Sequence, residues 1–352
     1  MSKDVACATA VHRRNFLASV GFLAGQLICP VSFAKSPRPR QRVIIDNDFS
    51  GDPDGLFQLA HHLLSPSIAI PFVIGSHIHR DDFLDHSELQ ADNAAARAHA
   101  LVAAMKLARA PEILAGRNAS PVPSARPQRT VVTDRIIAEA NRSDTSVPLV
   151  YAAGAGLTEL AEAVRIAPSI GRRIRLVWIG GMEWPQLTAP ALLKTAPEYN
   201  MTIDLAAVRT IFNASDIEIW QVPRNVYRLA VVSMAELRAR LAEAGSLGSF
   251  LVTSLDSVRS RWDDQMGETY ILGDSPLVTL TALLSAFEPD TSSSSYVVRS
   301  TPLIAANGSY ILQASGRPMR VYRSIDTRLT FADMFAKFAA LGQGKGTSQA
   351  DG

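Results

Sequence analysis

The sequence predicts an α/β fold, a single domain with a mostly parallel open sheet flanked by helices. Three observations predict it. Short apolar runs recur along the chain, as strands buried on both faces require. Most of them lead into an acidic or glycine-rich turn and then a segment with helical spacing, the repeating unit of a parallel sheet. Five of the strand-end turns carry polar chemistry, and a parallel sheet gathers such ends on one edge. The chain has 352 residues, 47% of them hydrophobic, which is enough for one large domain. It has no internal repeat and no long linker. A net charge of +2, with no basic run interleaved with aromatics, gives no nucleic-acid signal.

Residues 1–34 read as a twin-arginine export signal. Arg13 and Arg14 precede Phe16 and Leu17, and residues 17–28 form an apolar run too short to span a bilayer. Ser32 and Ala34 are small residues at the positions a signal peptidase reads, which places cleavage after Ala34. A basic N-terminal helix or a membrane anchor is the alternative. Export implies a periplasmic protein with no membrane association once processed. The two cysteines, Cys7 and Cys29, both lie in this leader. The processed chain would then have no disulfide, thiol nucleophile or cysteine zinc site.

The domain is expected over residues 35–341, beginning with a basic linker over 35–40. Val43, Ile44 and Ile45 read as a strand. Asp46, Asp48, Asp52 and Asp54 follow within nine positions, broken by Gly51, Pro53 and Gly55. Residues 56–64 have helical spacing, with Leu56, Leu59, Leu63 and Leu64 on one face. Four carboxylates so close repel one another unless a positive charge sits among them, and a hard divalent cation with oxygen ligands is the simplest answer. A solvated acidic turn with Asp54 as a helix N-cap is the alternative.

Residues 68–74 read as a second strand, ending in the polar loop Ser76, His77, His79. Residues 92–107 are alanine-rich and helical, 112–116 a short strand or turn, and 121–128 a proline-rich loop. A helix over 133–141, a strand over 147–153 and the turn Gly154 to Gly156 come next. A helix over 157–166 leads to a strand over 174–179 that ends in Gly180 and Gly181. Residues 205–213 read as helix, 217–222 as strand and 234–244 as helix. Gly273 and Asp274 precede a helix over 277–287, which Asp274 would cap on the bland reading. Residues 296–322 alternate apolar and polar with glycine turns, as antiparallel strands do. The tail over 342–352 is rich in Gly, Ser and Gln and reads as disordered.

Taken together, these loops resemble the inosine-uridine-preferring nucleoside hydrolase family. The stretch from Asp46 to Gly55 looks like the longer variant of that family's aspartate-rich opening motif. Gly154 to Glu159 is similar to its Gly-Pro-Leu-Thr turn. Trp178 to Met182 resembles its Met-Gly-Gly strand end. Glu198, Tyr199 and Asn200, with Asp204, Ala206 and Ala207 behind them, resemble its Glu-Phe-Asn segment. Asp274, Ser275, Pro276 and Leu277 look like its His-Asp-Pro-Leu. The likeness runs in order from about residue 43 to 278.

The resemblance implies Ca²⁺-dependent hydrolysis of the N-glycosidic bond of a ribonucleoside, a purine or pyrimidine salvage reaction on a small-molecule nucleoside or riboside. It implies metal contacts from Asp48, Asp274 and the Gly154 carbonyl, with Asp54, then Asp52, in place of the missing final aspartate at Gly55. It implies Asp48 as general base, and Glu198, Asn200, Ser76 and His77 toward the substrate. Gly273 stands where many members have a leaving-group histidine, and no histidine follows His99. Tyr270, Glu183 or His77 would then have to protonate the base, or Trp184 or Trp262 stack on it. Glu198 and Asn200 in a plain polar loop, and His77 and His79 as surface histidines, are the bland readings.

Two other functions remain open. One is a periplasmic sugar- or nucleoside-binding protein of the same fold without turnover. The other is a haloacid-dehalogenase-type phosphatase, which also starts with Asp-x-Asp. The sequence leaves the oligomeric state open, a homo-oligomer included.

Overall fold

Apolar strands and amphipathic helices alternate through the computed structural model, which describes residues 38–122, 126–261, 267–284 and 294–344. The expected export signal with Cys7, Cys29 and Ala34, together with Trp262 and the tail beyond residue 344, lies outside the described residues. The first half of the domain contains β1 (Gln41–Asn47), α1 (Asp54–Leu63), β2 (Ile68–Ala69), β3 (Phe72–Gly75), α2 (Gln90–Met105) and β4 (Glu112–Ala115). It continues with α3 (Val131–Ala140), β5 (Leu149–Ala153), α4 (Thr158–Ile166) and β6 (Ile174–Ile179). Then come α5 (Tyr199–Ile203), α6 (Leu205–Ala214), β7 (Glu218–Val222), α7 (Arg224–Tyr227), β8 (Val231–Ser233) and α8 (Met234–Leu241). They are followed by α9 (Gly245–Arg259), β9 (Thr269–Ile271), α10 (Pro276–Val278) and β10 (Ser294–Ser300). β11 (Leu303–Ile304), β12 (Tyr310–Ile311), β13 (Pro318–Ile325) and α11 (Thr327–Gly342) complete it.

One sheet runs in the order β10-β13-β7-β6-β5-β1-β3-β4, with β2 also paired to β1. Its pairings are parallel except for β10 against β13. The chain steps outward from β1 to β3 and β4, then returns to lay β5 on the other side of β1. Strand order therefore reverses at β1, and a crevice opens beyond its carboxyl end.

The two-residue strand period splits the core into two layers. Val43 and Ile45 pack with Val150, Ala152 and Val177 against helices α1, α2, α8, α9 and α11. Ile44 packs with Tyr151, Leu176 and Trp178 against α3, α4 and α6. This two-sided burial is why the strands are continuous apolar runs rather than alternating ones.

Some boundaries differ from the sequence expectation for physical reasons. Pro71 has no N–H to give, so the expected strand over 68–74 is split into β2 and β3. Of the helix expected over 277–287, the described part is α10 followed by a π-helical turn to Leu283, and residues 285–287 lie outside the described residues. Helix α9 is absent from the sequence reading because Gly245 and Gly248 lower its propensity. Gly248 is needed for packing: a Cβ there would lie 1.8 Å from the Leu241 carbonyl oxygen of α8. No described helix is long and apolar enough to cross a membrane.

Candidate active site

β1 ends in the acidic loop at the reversal point, and each carboxylate there has its own setting. Asp46 is fully buried, and its two oxygens accept from the hydroxyls of Ser76 and Tyr151. Burial pushes its carboxyl up to about 7 despite those two donors. Asp48 follows, its backbone N–H donating to Asn47 Oδ1 at 2.8 Å. Asp52 accepts from the Tyr270 hydroxyl at 2.8 Å and from the backbone of Asp54 at 3.2 Å. Asp54 opens α1 and accepts from the backbones of Gly55 at 2.9 Å and Asp274 at 3.2 Å. Asp274 arrives from the turn between β9 and α10, more than two hundred residues later in the chain, and accepts from Asn47 Nδ2 at 2.9 Å.

These groups share a cleft of ≈ 240 Å³ lined by Asp48, Asp52, Asp54, Asp274 and Gly154. No lysine, arginine or histidine is among its described lining residues. Burial first, then the charges of Asp274 and Asp52, hold the Asp48 carboxyl well above its ordinary range. Asp54 is raised in the same way, by burial and then by Asp274, Asp52 and Asp48. Burial lifts Asp274 to about 7 against the donor from Asn47.

This donor set, carboxylates and one backbone carbonyl with no opposing cation, fits a hard divalent ion in its chemistry. The side chains are not drawn around one point, however. Among the described residues, no three His, Cys, Asp or Glu side chains form a metal-holding group. Asp54 and Asp274 instead spend oxygens on N–H donors. The mutual repulsion of the buried carboxylates favours the fit: without a cation they are relieved only by keeping their protons, and the described lining offers no basic side chain.

Several residues expected to face the substrate are committed elsewhere. Glu198 lines the cleft but caps α5, accepting from the backbones of Asn200 at 3.1 Å and Met201 at 3.0 Å. It also accepts from Gly181 N at 2.8 Å and the Tyr227 hydroxyl at 2.8 Å. Four donors on two oxygens leave the carboxylate no ready site for a sugar hydroxyl. Glu198→Gln is therefore expected to destabilise the fold by about 2–5 kcal/mol in urea unfolding, since an amide N–H₂ would face N–H and O–H donors.

Asn200 gives both amide hydrogens to carbonyls, Gly154 O at 3.0 Å and Ile179 O at 2.8 Å, and so fixes the Gly154 carbonyl. Ser76 holds Asp46, as described, and does not line the cleft. His77 is buried, with its ring between Ile78 O at 3.0 Å and Thr158 Oγ1 at 3.2 Å. Trp184 sits in the core, donating to Gln221 Oε1 at 2.9 Å and packing 5.2 Å from the Tyr310 ring. Glu183 is clamped by Arg224 at 2.6 and 2.7 Å; burial pushes its carboxyl up, but the guanidinium overcomes this and holds it ionised. Neither His77, Trp184, Tyr270 nor Glu183 lines the cleft.

Other lining residues were given no role in the sequence reading, although Tyr199 stands in the segment between Glu198 and Asn200. Tyr199 and Tyr227 line the cleft, and so do Asp82, Phe83 and Leu84 from the loop between β3 and α2. The Tyr199 hydroxyl donates to Asp82 at 2.7 Å. The only sequence signal was the aromatic and charged content of residues 79–89, which carried no period. Asn47 was missed because an amide between two aspartates looks like turn filling.

Asn47 also accounts for Gly55. A Cβ at Gly55 would lie 2.9 Å from Asn47 Nδ2, so a side chain there competes with the Asn47 amide. Gly55→Asp is expected to lower stability by about 1–3 kcal/mol, as read by the urea midpoint.

No protein-family model matches this chain, and no curated protein matches it. Among solved structures, a plant nucleoside hydrolase superposes with a TM-score of 0.65 at 16% identity, covering 86% of this chain and 100% of that one. A purine-preferring ribonucleoside hydrolase from Gardnerella vaginalis gives 0.61 at 16% identity, over 86% of this chain and 99% of that one. An inosine-uridine preferring nucleoside hydrolase from Bacillus anthracis gives 0.59 at 18% identity, over 86% and 99%. The chain has the fold of these proteins, an α/β domain with a mostly parallel central sheet.

Proposed function

We propose that the chain is a nucleoside hydrolase that cleaves the N-glycosidic bond of a ribonucleoside or related N-riboside, with Ca²⁺ as its metal. One observation carries the reading: Asp48, Asp52 and Asp54 from one end of the domain and Asp274 from the other share a cleft with the Gly154 carbonyl, at the reversal point of this fold. The superposed nucleoside hydrolases support it. A bound Ca²⁺, held by Asp48, Asp54, Asp274 and the Gly154 carbonyl with Asp52 beside them, would supply Lewis acidity toward an attacking water and a grip on ribose hydroxyls.

The protein's own groups do the rest. Asp48 takes the proton from the water that attacks the anomeric carbon. The neighbouring carboxylates stabilise the positive charge that develops on the ribosyl ring as the base departs. Tyr199, Phe83 and Leu84 offer the base an aromatic and apolar wall. The leaving-group acids expected from the sequence are all tied up outside the cleft, which favours a base that departs readily once stacked. Residues 1–34 extend the proposal to twin-arginine export and a periplasmic site of action.

A binding protein without turnover is the second reading, favoured by Gly55 and by Gly273, where a Cβ would meet Tyr227 Cδ2 at 3.2 Å. The phosphatase reading fares worse, because the first aspartate of Asp-x-Asp, Asp46, is sealed under Ser76 and Tyr151. A nucleoside panel tests the proposal by release of reducing sugar. Release that stops with chelator and returns with calcium supports it. Retention of bound nucleoside without release supports the binding protein.

A further inference from the structure

A line of buried polar side chains runs from Asp274 away from the cleft, under α1. Asn47 Nδ2 donates to Asp274 Oδ2 at 2.9 Å and to Gln58 Oε1 at 3.0 Å. The Gln58 Nε2 amide meets His62 Nδ1, and His62 Nε2 meets Thr281 Oγ1 at 2.8 Å. The Thr281 hydroxyl donates to the Leu277 carbonyl at 2.7 Å. Asn47, Gln58 and His62 are 0% exposed.

The direction of every bond follows from its end. Thr281 has one hydrogen and gives it to Leu277, so it accepts from His62 Nε2–H. A neutral imidazole then accepts at Nδ1, from Gln58 Nε2–H. Gln58 must therefore present its oxygen to Asn47, and Asn47 gives both amide hydrogens away, one of them to Asp274. The Asn47 oxygen in turn accepts the Asp48 backbone N–H at 2.8 Å. Burial keeps His62 neutral, as this polarity needs. Space is made for the Asn47 amide by two glycines: a Cβ at Gly154 would lie 2.4 Å from its Nδ2, and one at Gly55 2.9 Å.

We propose that Asn47, Gln58, His62 and Thr281 form a positioning relay that fixes Asp274 in the acidic cleft. None of Gln58, His62 and Thr281 lines that cleft. The relay occupies one Asp274 oxygen with a neutral donor and leaves the other for the cleft. It also ties the end of β1 and helix α1 to the π-helical turn after α10, so the two ends of the domain meet in one register. Outer partners of this kind orient a ligating carboxylate and typically govern 10–100-fold in affinity. The inference rests on the metal-dependent hydrolase reading above, which makes Asp274 a ligand.

The test uses the full chain and Ca²⁺ as the probe, titrated by calorimetry, with urea unfolding run alongside. Gln58→Leu keeps the volume and cuts the relay at its middle; Thr281→Val cuts its far end and keeps the shape. The expected result is a calcium Kd about 10-fold weaker or more in Gln58→Leu, and a smaller weakening in Thr281→Val. Lower stability with an unchanged Kd in folded Gln58→Leu overturns the relay and leaves a merely structural network. If Gln58→Leu does not fold, an unchanged Kd in Thr281→Val overturns it. Calcium binding by the wild type without nucleoside cleavage sinks the hydrolase reading alone, and weakened binding in the variants still supports the relay. A wild type that binds no calcium overturns both.

Discussion

Asp48→Asn is expected to lower kcat for nucleoside cleavage by about 10³-fold or more while leaving the fold intact. Loss of a positioned general base by itself removes about 10²–10⁴-fold. Here the same substitution would also remove one of the carboxylates proposed to hold the cation. Asp48 is held in a setting that disfavours its charge, through burial and the nearby Asp274 and Asp52. Neutralising it relieves that repulsion, so the metal-free variant is expected to unfold at higher urea than the metal-free wild type, by about 1–3 kcal/mol. Lost turnover with gained stability is the signature of a functional carboxylate. A loss of both would mark Asp48 as a structural group. Steady-state kinetics and paired unfolding curves distinguish the two.

The second large effect is on metal-free stability as pH changes. Asp46 and Asp274 ionise in the fold at about 7, against an ordinary 3.8. Below about pH 4 both folded and unfolded chains keep these protons, and the stability is fully present. Between pH 4 and 7 the unfolded chain releases them while the fold retains them, so stability falls as pH rises. By pH 8 the loss for Asp46 reaches roughly 4 kcal/mol, and Asp274 adds to it in the same direction. Asp48 and Asp54, raised by the same causes, push in the same direction.

A carboxyl shifted the other way limits the acid side. Asp333 is half-buried, which raises its carboxyl, yet its bonds to His61 and Lys337 hold it below its ordinary value, so its contribution is lost as pH falls through its folded pKa. Buried His61 and His62, both held below the ordinary imidazole range by burial, also lose stability as pH falls below about 6.5. Metal-free protein should thus weaken from about pH 6.5 toward pH 8. Calcium favours the ionised carboxylates and should flatten that slope, with a stabilisation of about 2.7 kcal/mol at one hundred times its Kd. Melting scans with chelator and with calcium across pH 4–8 check this. Parallel slopes in the two series would mean that the cation does not bind among these groups.

The parts of the molecule that were legible in the sequence are those that local chemistry dictates. Val43 to Ile45 announce a strand covered on both faces because such a strand has no polar side. Asp48, Asp54 and Asp274 stand out because carboxylates at strand ends have few structural reasons to crowd. What stayed hidden depends on where distant residues meet. Glu198 looks like a sugar ligand until Gly181, Met201 and Tyr227 are seen on its oxygens. Trp184 follows a glycine turn as a stacking residue would, yet the partner that decides its place, Gln221, is a strand away. Gly55 reads as a lost ligand, and only the fold shows Asn47 in the space it leaves. Asp82 and Tyr199 meet across more than a hundred residues, at a distance no local pattern encodes.

If carboxylates of the β1 loop and Asp274 bind a cation that makes this cleft hydrolytic, a calcium titration of metal-stripped full chain, with bound calcium and nucleoside turnover read from the same samples, tests that role of the cation. Turnover is then expected to be absent without calcium and to rise in step with occupancy of one ion per chain. Turnover that is already complete in chelator would contradict it, as would full occupancy with no release of ribose from any nucleoside.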